Sequence, residues 1–218
     1  PADPQLQDLI ALDMPTSMIG LTTAGGPSVT IDDVAAARLA TQHLINLGHT
    51  RIGTISGSPS QTPFTAEFDR EAGFAQAMSE ANIQVDPMLE AYGHFSIEGG
   101  EAAMTALLTQ AQPPTAVFAL SDEMAFGALR ALRAHDLQPG KDVSVVGVDG
   151  HDMAEYLGLT TVVQPVVELG RIAAESLLAQ MREGAAQPES TQVATQLVVR
   201  GSTGPVAGHR SVPSKDAR

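Results

Sequence analysis

From residue 51 to residue 183 the chain alternates short β-branched runs with longer helical stretches, and that rhythm leaves few folds open. Strands are expected over residues 16–21, 51–57, 88–92, 116–120, 143–149, 161–164 and 196–200. Helices are expected over 5–12, 32–47, 69–81, 97–111, 122–135 and 167–183. Strands separated by helices cannot pair as hairpins, so they form parallel sheets with helices on the faces. The boundaries have chemical causes. Asp32 and Asp122 stand where a carboxylate can cap the first amides of a helix. Gly48 follows Leu47, where left-handed geometry costs a glycine little. Gln112-Pro113-Pro114 stops a helix before a strand. Ile172 and Leu177-Leu178-Ala179 continue one apolar stripe along the last long helix.

Composition narrows the function classes. The 218 residues are 43% hydrophobic, enough for a core and for two small lobes. There is no cysteine, which excludes disulfides, thiolate metal sites and cysteine nucleophiles. No apolar run reaches the ~20 residues of a membrane span. The chain starts Pro1-Ala2-Asp3-Pro4 without an initiator methionine, so it is expected to be a piece of a longer protein. The formal net charge is −13, and residues 1–209 hold 9 Lys and Arg against 24 Asp and Glu. Such a body repels a phosphate backbone, so DNA binding by this segment alone is not expected.

Several strands end in polar groups. Phe118-Ala119-Leu120-Ser121-Asp122 runs from a strand into a helix start. Val145-Val146-Gly147-Val148-Asp149 ends in a carboxylate, and Ile55-Ser56-Gly57-Ser58-Pro59 runs into a Gly/Ser loop. Ligands of open α/β sheets bind beyond the carboxyl ends of the strands, so these groups mark one candidate pocket. Asp122 also reads as a plain helix cap. Arg70 lies near a helix start, a poor place for a cation unless Asp69, Glu67 or a ligand hydroxyl partners it. Phe95, in a post-strand loop, can stack on a sugar ring, although core packing is the commoner role of a phenylalanine. Asp149-Gly150-His151-Asp152 brings potential metal ligands together, but no second cluster completes a site, and neither metal nor cofactor is expected. Nucleophile-elbow, zinc-protease, phosphate-loop and dinucleotide motifs are all missing, and no nucleophile–base pair is evident, so an enzyme is not expected.

Longer stretches carry a resemblance. Val29-Thr30-Ile31-Asp32-Asp33, the run from Ala40 to Gly53, Asp69-Arg70-Glu71-Ala72-Gly73-Phe74 and the run from Pro114 to Leu129 resemble the lactose/galactose repressor (LacI/GalR) family. So do the run from Asp142 to Asp149, Leu159-Thr160-Thr161-Val162-Val163-Gln164-Pro165 and the run from Leu197 to Thr203. The matches follow family order over residues 15–203.

The resemblance implies an α/β fold of two interleaved, doubly wound parallel-sheet lobes of the periplasmic-binding-protein type, with a small molecule bound between them. It divides the chain into a partial N-terminal lobe (1–31 and 165–190), a C-terminal lobe (32–160 and 191–203) and a flexible tail (204–218). It implies a cytoplasmic homodimer that reaches operator DNA through an N-terminal helix-turn-helix head outside this chain, with no membrane partner. The implied effector is a sugar or polyol. Its implied contacts are Arg70, Asp149, Asp122, Ser121, Phe95 and Gln164, with Phe64 and Ser58 on the loop after the first long strand. Ser121 stands where the family usually has Asn, and Gly20 where it often has a charged or amide residue. A periplasmic sugar-binding protein of a transporter shares the fold and is the alternative reading.

Overall fold

A computed structural model describes residues 14–21, 27–57, 65–182 and 190–206. The elements run β1 (Met18–Ile19), β2 (Ser28–Ile31), α1 (Asp33–Asn46), β3 (Ile52–Ser56), α2 (Ala66–Glu80), β4 (Glu90–Tyr92), α3 (Ile97–Leu108) and β5 (Ala116–Ala119). They continue α4 (Asp122–Ala134), β6 (Ser144–Asp149), α5 (Met153–Leu157), β7 (Thr160–Val163), α6 (Val166–Gln180), β8 (Thr191–Val193) and β9 (Gln196–Val198). Most expected elements are present within a few residues of their expected bounds. The expected helix at 5–12 lies outside the described residues. Three short elements had no counterpart among the expected ones: β2, α5 and β8, each of five residues or fewer.

Two sheets result. The larger has the order β4-β3-β5-β6-β7-β9, parallel except for the edge strand β9. The smaller is β1-β2-β8, all parallel. The central strands of the large sheet are apolar along their length because helices bury both faces. Every residue of β3 and β5 is buried, and so are Ser144–Val148 of β6. Right-handed crossovers fix which helix covers which face. From β3 the chain moves outward to β4 through α2, then back across β3 to β5 through α3, and onward to β6 through α4. The reversal puts α2, with its neighbour α1, on one face and α3 with α4 on the other. The helix pairs α1·α2 and α3·α4 pack side by side accordingly. Phe74 of α2 stacks on Phe118 of β5 with ring centroids 6.3 Å apart, and Leu44, Met124, Leu129 and Leu132 are buried from both layers. Each such side chain removed from water contributes roughly 1.5–3 kcal/mol.

Local chemistry sets the helix ends. Asp32 Oδ1 accepts from the Ala35 amide at 2.8 Å, as a cap should. For α4 the cap is Ser121, whose Oγ accepts from the Met124 amide; Asp122 is the first helical residue and its carboxylate serves another purpose. Helix α2 begins at Ala66, three residues before its expected start, so Arg70 stands a full turn inside it. Gly48 adopts φ +89° behind α1, as its position suggested.

Among the described residues the chain crosses between the sheets three times. β2 leads into α1, which packs on the large sheet; β7 leads into α6, which packs on β1 and β2; and β8 leads into β9. Residues 191–203, expected in the C-terminal lobe, take part in both sheets, because the β8 backbone pairs with β2 and the β9 backbone with β7. The start of the expected tail is also held. His49 bonds Thr115 Oγ1, Ser144 Oγ and the Gly204 carbonyl, and the Val206 amide donates to Leu47 O. Residues 207–218 lie outside the described ones. Among the described residues no helix is long and apolar enough to cross a membrane.

Candidate functional site

The strand order reverses between β3 and β5, and at such a switch point the loops leaving neighbouring strands part to opposite faces and open a crevice. A cavity of about 450 Å3 lies there, beyond the carboxyl ends of the large sheet and against the small one. Phe95 follows β4, Ser121 follows β5, Asp149 ends β6 and Gln164 follows β7; all four line it, as does Arg70 from α2. The small sheet and its surroundings supply Ile19, Gly20, Thr30 and Ile31, and α6 supplies Leu169. The walls thus combine a polar floor with apolar sides.

Arg70 is the centre of the floor. It is 6% exposed. Its Nε donates to Asp33 Oδ1 at 2.8 Å, and its Nη1 donates to Asp149 Oδ1 at 3.3 Å and to the Leu120 carbonyl at 2.5 Å. Its carboxylate partners are Asp33 and Asp149, where the sequence pointed to Asp69 or Glu67, because nothing in the linear chain sets α1 against α2. Asp149 Oδ1 also accepts from Gln164 Nε2 at 2.6 Å, and Oδ2 accepts from the Asp122 amide at 3.3 Å. One carboxylate therefore ties α2, the start of α4 and the crossing into α6. Its backbone φ is +136°, a region that suits glycine and costs an aspartate strain, as is common where a site dictates geometry. Burial pushes the Asp149 carboxyl up to about 6; the Arg70 guanidinium opposes the rise and the Asp122 carboxylate adds to it. Burial also raises the Asp33 carboxyl, again against Arg70.

Asp122 lies behind the cavity and not on its wall. It is fully buried. Its Oδ1 accepts from Thr161 Oγ1 at 2.6 Å and its Oδ2 from the His151 amide at 2.8 Å. Burial raises its carboxyl above the ordinary range, with those bonds pulling the other way. Gly147 makes room for it: a Cβ there would stand 2.3 Å from Asp122 Oδ1. Asp122 is thus placed to hold the end of β6 and the loop beyond it. Phe95 is 40% exposed at φ +50°. Gly57 lets it approach, since a Cβ at that position would meet Phe95 Cε2 at 2.1 Å and Glu67 Oε1 at 2.7 Å. Ser58 and Phe64 lie outside the described residues.

Glu67, Glu123 and Asp33 also line the cavity, and sequence reasoning missed them as site residues. Glu123 sits in the first turn of α4 and Glu67 in the first turn of α2, where a carboxylate needs no explanation beyond the helix dipole. Among the described residues no group of three or more His, Asp or Glu is arranged to hold a metal ion.

Relatives give this arrangement a context. A family profile described as a periplasmic binding protein-like domain matches residues 41–203. The HTH-type transcriptional repressor CytR of Escherichia coli K12 is 41% identical over 179 residues, covering 81% of this chain and 52% of that protein. The chain spans about half the length of the curated relatives it matches. A LacI family transcriptional regulator from Enterococcus faecium, solved with bound ribose, superposes with a TM-score of 0.83 at 32% identity, over 91% of this chain and 74% of that one. The complex of the transcriptional regulator CelR with cellobiose superposes with a TM-score of 0.77 at 31% identity, over 90% and 68%. The chain belongs to the periplasmic binding protein-like domain family, as an effector-domain member of its LacI/GalR branch.

Proposed function

We propose that the cavity is an effector site for a sugar or polyol, and that its occupancy governs DNA binding by a helix-turn-helix segment outside this chain. The observation that carries the reading is the convergence of Arg70, Asp149, Gln164, Ser121 and Phe95, from five different parts of the chain, on one cavity. Asp149 accepts from effector hydroxyls, Arg70 and Gln164 donate to them, and the Phe95 ring covers an apolar sugar face. Asp122 positions Asp149 and the loop after β6. Ser58 and Phe64 belong to the proposed site on sequence grounds.

The small sheet with α6 forms one lobe and the large sheet the other. An effector that touches Ile31 and Leu169 on one side and Asp149 and Phe95 on the other favours the closed arrangement by its differential contacts. The regulator reading is preferred to a transporter's binding protein because the curated relative above is named a transcriptional repressor. The intact protein works as a cytoplasmic homodimer, and the domain turns over no substrate.

A thermal-shift series against free sugars tests this. A ligand at a hundred times its Kd stabilises the folded state by about 2.7 kcal/mol, which raises Tm by roughly 5–10 °C for a domain of this size. A shift with a sugar, absent in Asp149→Asn, is the expected result. No shift with any sugar, or an equal shift in the variant, overturns the site.

A further inference from the structure

Asp149-Gly150 is the only Asp-Gly pair in the 218 residues, and the fold sets the parts of an acyl transfer around it. An aspartyl carboxyl can close a five-membered ring onto the next backbone nitrogen, and glycine leaves that nitrogen unscreened. The Gly150 amide donates to Thr161 Oγ1 at 3.4 Å, and Thr161 Oγ1 donates in turn to Asp122 Oδ1 at 2.6 Å. Asp122 also draws on the Gly150 amide directly, and its burial makes its carboxylate a stronger base than a solvated one. A proton leaving the Gly150 nitrogen therefore has a path to a carboxylate. On the other side, donors surround the Asp149 carboxyl: Arg70 Nη1 at 3.3 Å and Gln164 Nε2 at 2.6 Å on Oδ1, and the Asp122 amide at 3.3 Å on Oδ2. Donors so placed stabilise the oxyanion of a tetrahedral intermediate at Cγ. Both residues hold positive φ, +136° at Asp149 and +76° at Gly150, and a Cβ on Gly150 would meet Val163 Cγ1 at 2.7 Å. A rearrangement that lengthens the main chain here relieves that strain.

We propose that Asp149-Gly150 is a self-modification site: the folded chain converts Asp149 to isoaspartate through a cyclic imide, with Thr161 and Asp122 taking the proton from the Gly150 nitrogen. The Gly150 nitrogen forms a bond to Asp149 Cγ. Its proton passes to Thr161 Oγ1 while the Thr161 proton passes to Asp122. The tetrahedral carbon then expels one oxygen as water, which carries the proton of the carboxyl and the one returned from Asp122. Burial supports this step, because it pushes the Asp149 carboxyl up to about 6 and so retains the proton that lets the oxygen leave as water. The imide is one water lighter than the original chain. Water reaches it through the cavity, since the Asp149 side chain is 29% exposed. Addition to the ring carbonyl of the main chain breaks the original bond to the Gly150 nitrogen, and the chain then runs through the former side chain. Addition to the other carbonyl restores aspartate. Only water leaves and enters. The isoaspartyl link adds one carbon to the main chain at the end of β6 and shortens the side-chain carboxyl by one carbon, so the bonds from Arg70 and Gln164 are lost. Each molecule thereby carries a record of its age at the rim of its cavity, whatever the cavity binds.

The experiment ages the intact chain at 37 °C and pH 7, folded in one sample and unfolded in guanidinium chloride in another. Peptide mapping with electron-transfer fragmentation separates isoaspartate from aspartate at each position. Ageing in heavy-oxygen water marks every residue that has passed through an imide. Isoaspartate at residue 149 is expected to form at least tenfold faster in the folded sample than in the unfolded one, with heavy oxygen entering there ahead of every other aspartate. A folded rate equal to or below the unfolded rate overturns the proposal, and that comparison needs no variant. Faster labelling at another aspartate of the folded chain overturns it too. Thr161→Val keeps the buried shape and removes the hydroxyl of the relay, so it should slow the folded reaction severalfold. A Thr161→Val protein that is folded by circular dichroism and reacts at the unsubstituted rate also overturns the proposal; if the variant does not fold, the ratio of folded to unfolded rates alone decides.

Discussion

Asp149→Asn should make the protein more stable at neutral pH while it abolishes effector binding. The carboxyl titrates at about 6 in the fold, against an ordinary 3.8, because burial outweighs Arg70. Between those values the folded chain binds a proton that the unfolded chain has lost, so this group's contribution to stability falls as pH rises through the window. At about 1.4 kcal/mol for each pH unit, the ionised group costs the fold about 3 kcal/mol above pH 6, an upper figure because its side chain is 29% exposed. Asparagine has the shape of the protonated acid and never ionises. It also leaves Arg70 its bond to Asp33. The assay is urea unfolding of both proteins from pH 5 to 7.5, read as the difference in unfolding free energy. The difference should grow in favour of the variant as pH rises and level off above pH 6.5. Titrating groups remote from Asp149, the histidines included, cancel in the subtraction. A variant that is less stable by a constant amount across the range refutes the argument. Such a result would mean that the Gln164 and Arg70 bonds hold the carboxylate better than burial penalises it.

Arg70→Ala should destabilise the domain by roughly 3 kcal/mol as well as abolish binding, because it strands Asp33 and Asp149 without their buried partner; denaturant titration showing less than 1 kcal/mol would mean that water compensates both carboxylates. Gly57→Ala should weaken sugar binding at least tenfold with a stability loss of about 1–3 kcal/mol, since the new methyl displaces the Phe95 ring, and calorimetry with unfolding curves separates the two effects. Burial lowers the His49 and His43 imidazoles below their ordinary 6.5. The unfolded chain therefore takes up protons first as pH falls through 6.5, and stability drops there; protection from hydrogen exchange at residues 200–206, which these histidines help to fasten, should fall below pH 6 in the native protein and lose part of that pH dependence in His49→Gln.

The large sheet was legible because its central strands are unbroken apolar runs such as Ala116–Ala119 and Val145–Val148, bounded by proline and glycine signals. The positions of Asp149, Ser121 and Gln164 on the cavity rim were legible for the same reason: the end of a parallel strand can be located from sequence, and side chains at strand ends share one rim. The small sheet was not. Thr191-Gln192-Val193 is three residues with one apolar side chain, and nothing local distinguishes it from a loop until β2 is beside it. Asp33 and Glu123 were hidden by having a sufficient local explanation as first-turn carboxylates. The place of Asp122 was not legible either: its strand-end position suggested a cap or a ligand contact, and Gly147 opens a space behind the rim into which it turns. In each case the missing information was which elements lie next to each other, a property of strand order and not of any local run of residues.

The three crossings between the sheets are very short. Only Asp32 separates β2 from α1, Gln164 and Pro165 separate β7 from α6, and Ala194 and Thr195 separate β8 from β9. Two residues reach at most about 7 Å, so each crossing acts as a strap too short to let the two sheets slide or part. Three straps side by side behave as a door hinge: they leave one rotation nearly free and block the other rigid-body movements. Pro165 stiffens one strap further by fixing its own backbone angle. Any opening of the cavity is thereby reduced to a single angular coordinate. One pair of spectroscopic labels, placed far from the straps on opposite sides, would record the whole of that motion as one distance.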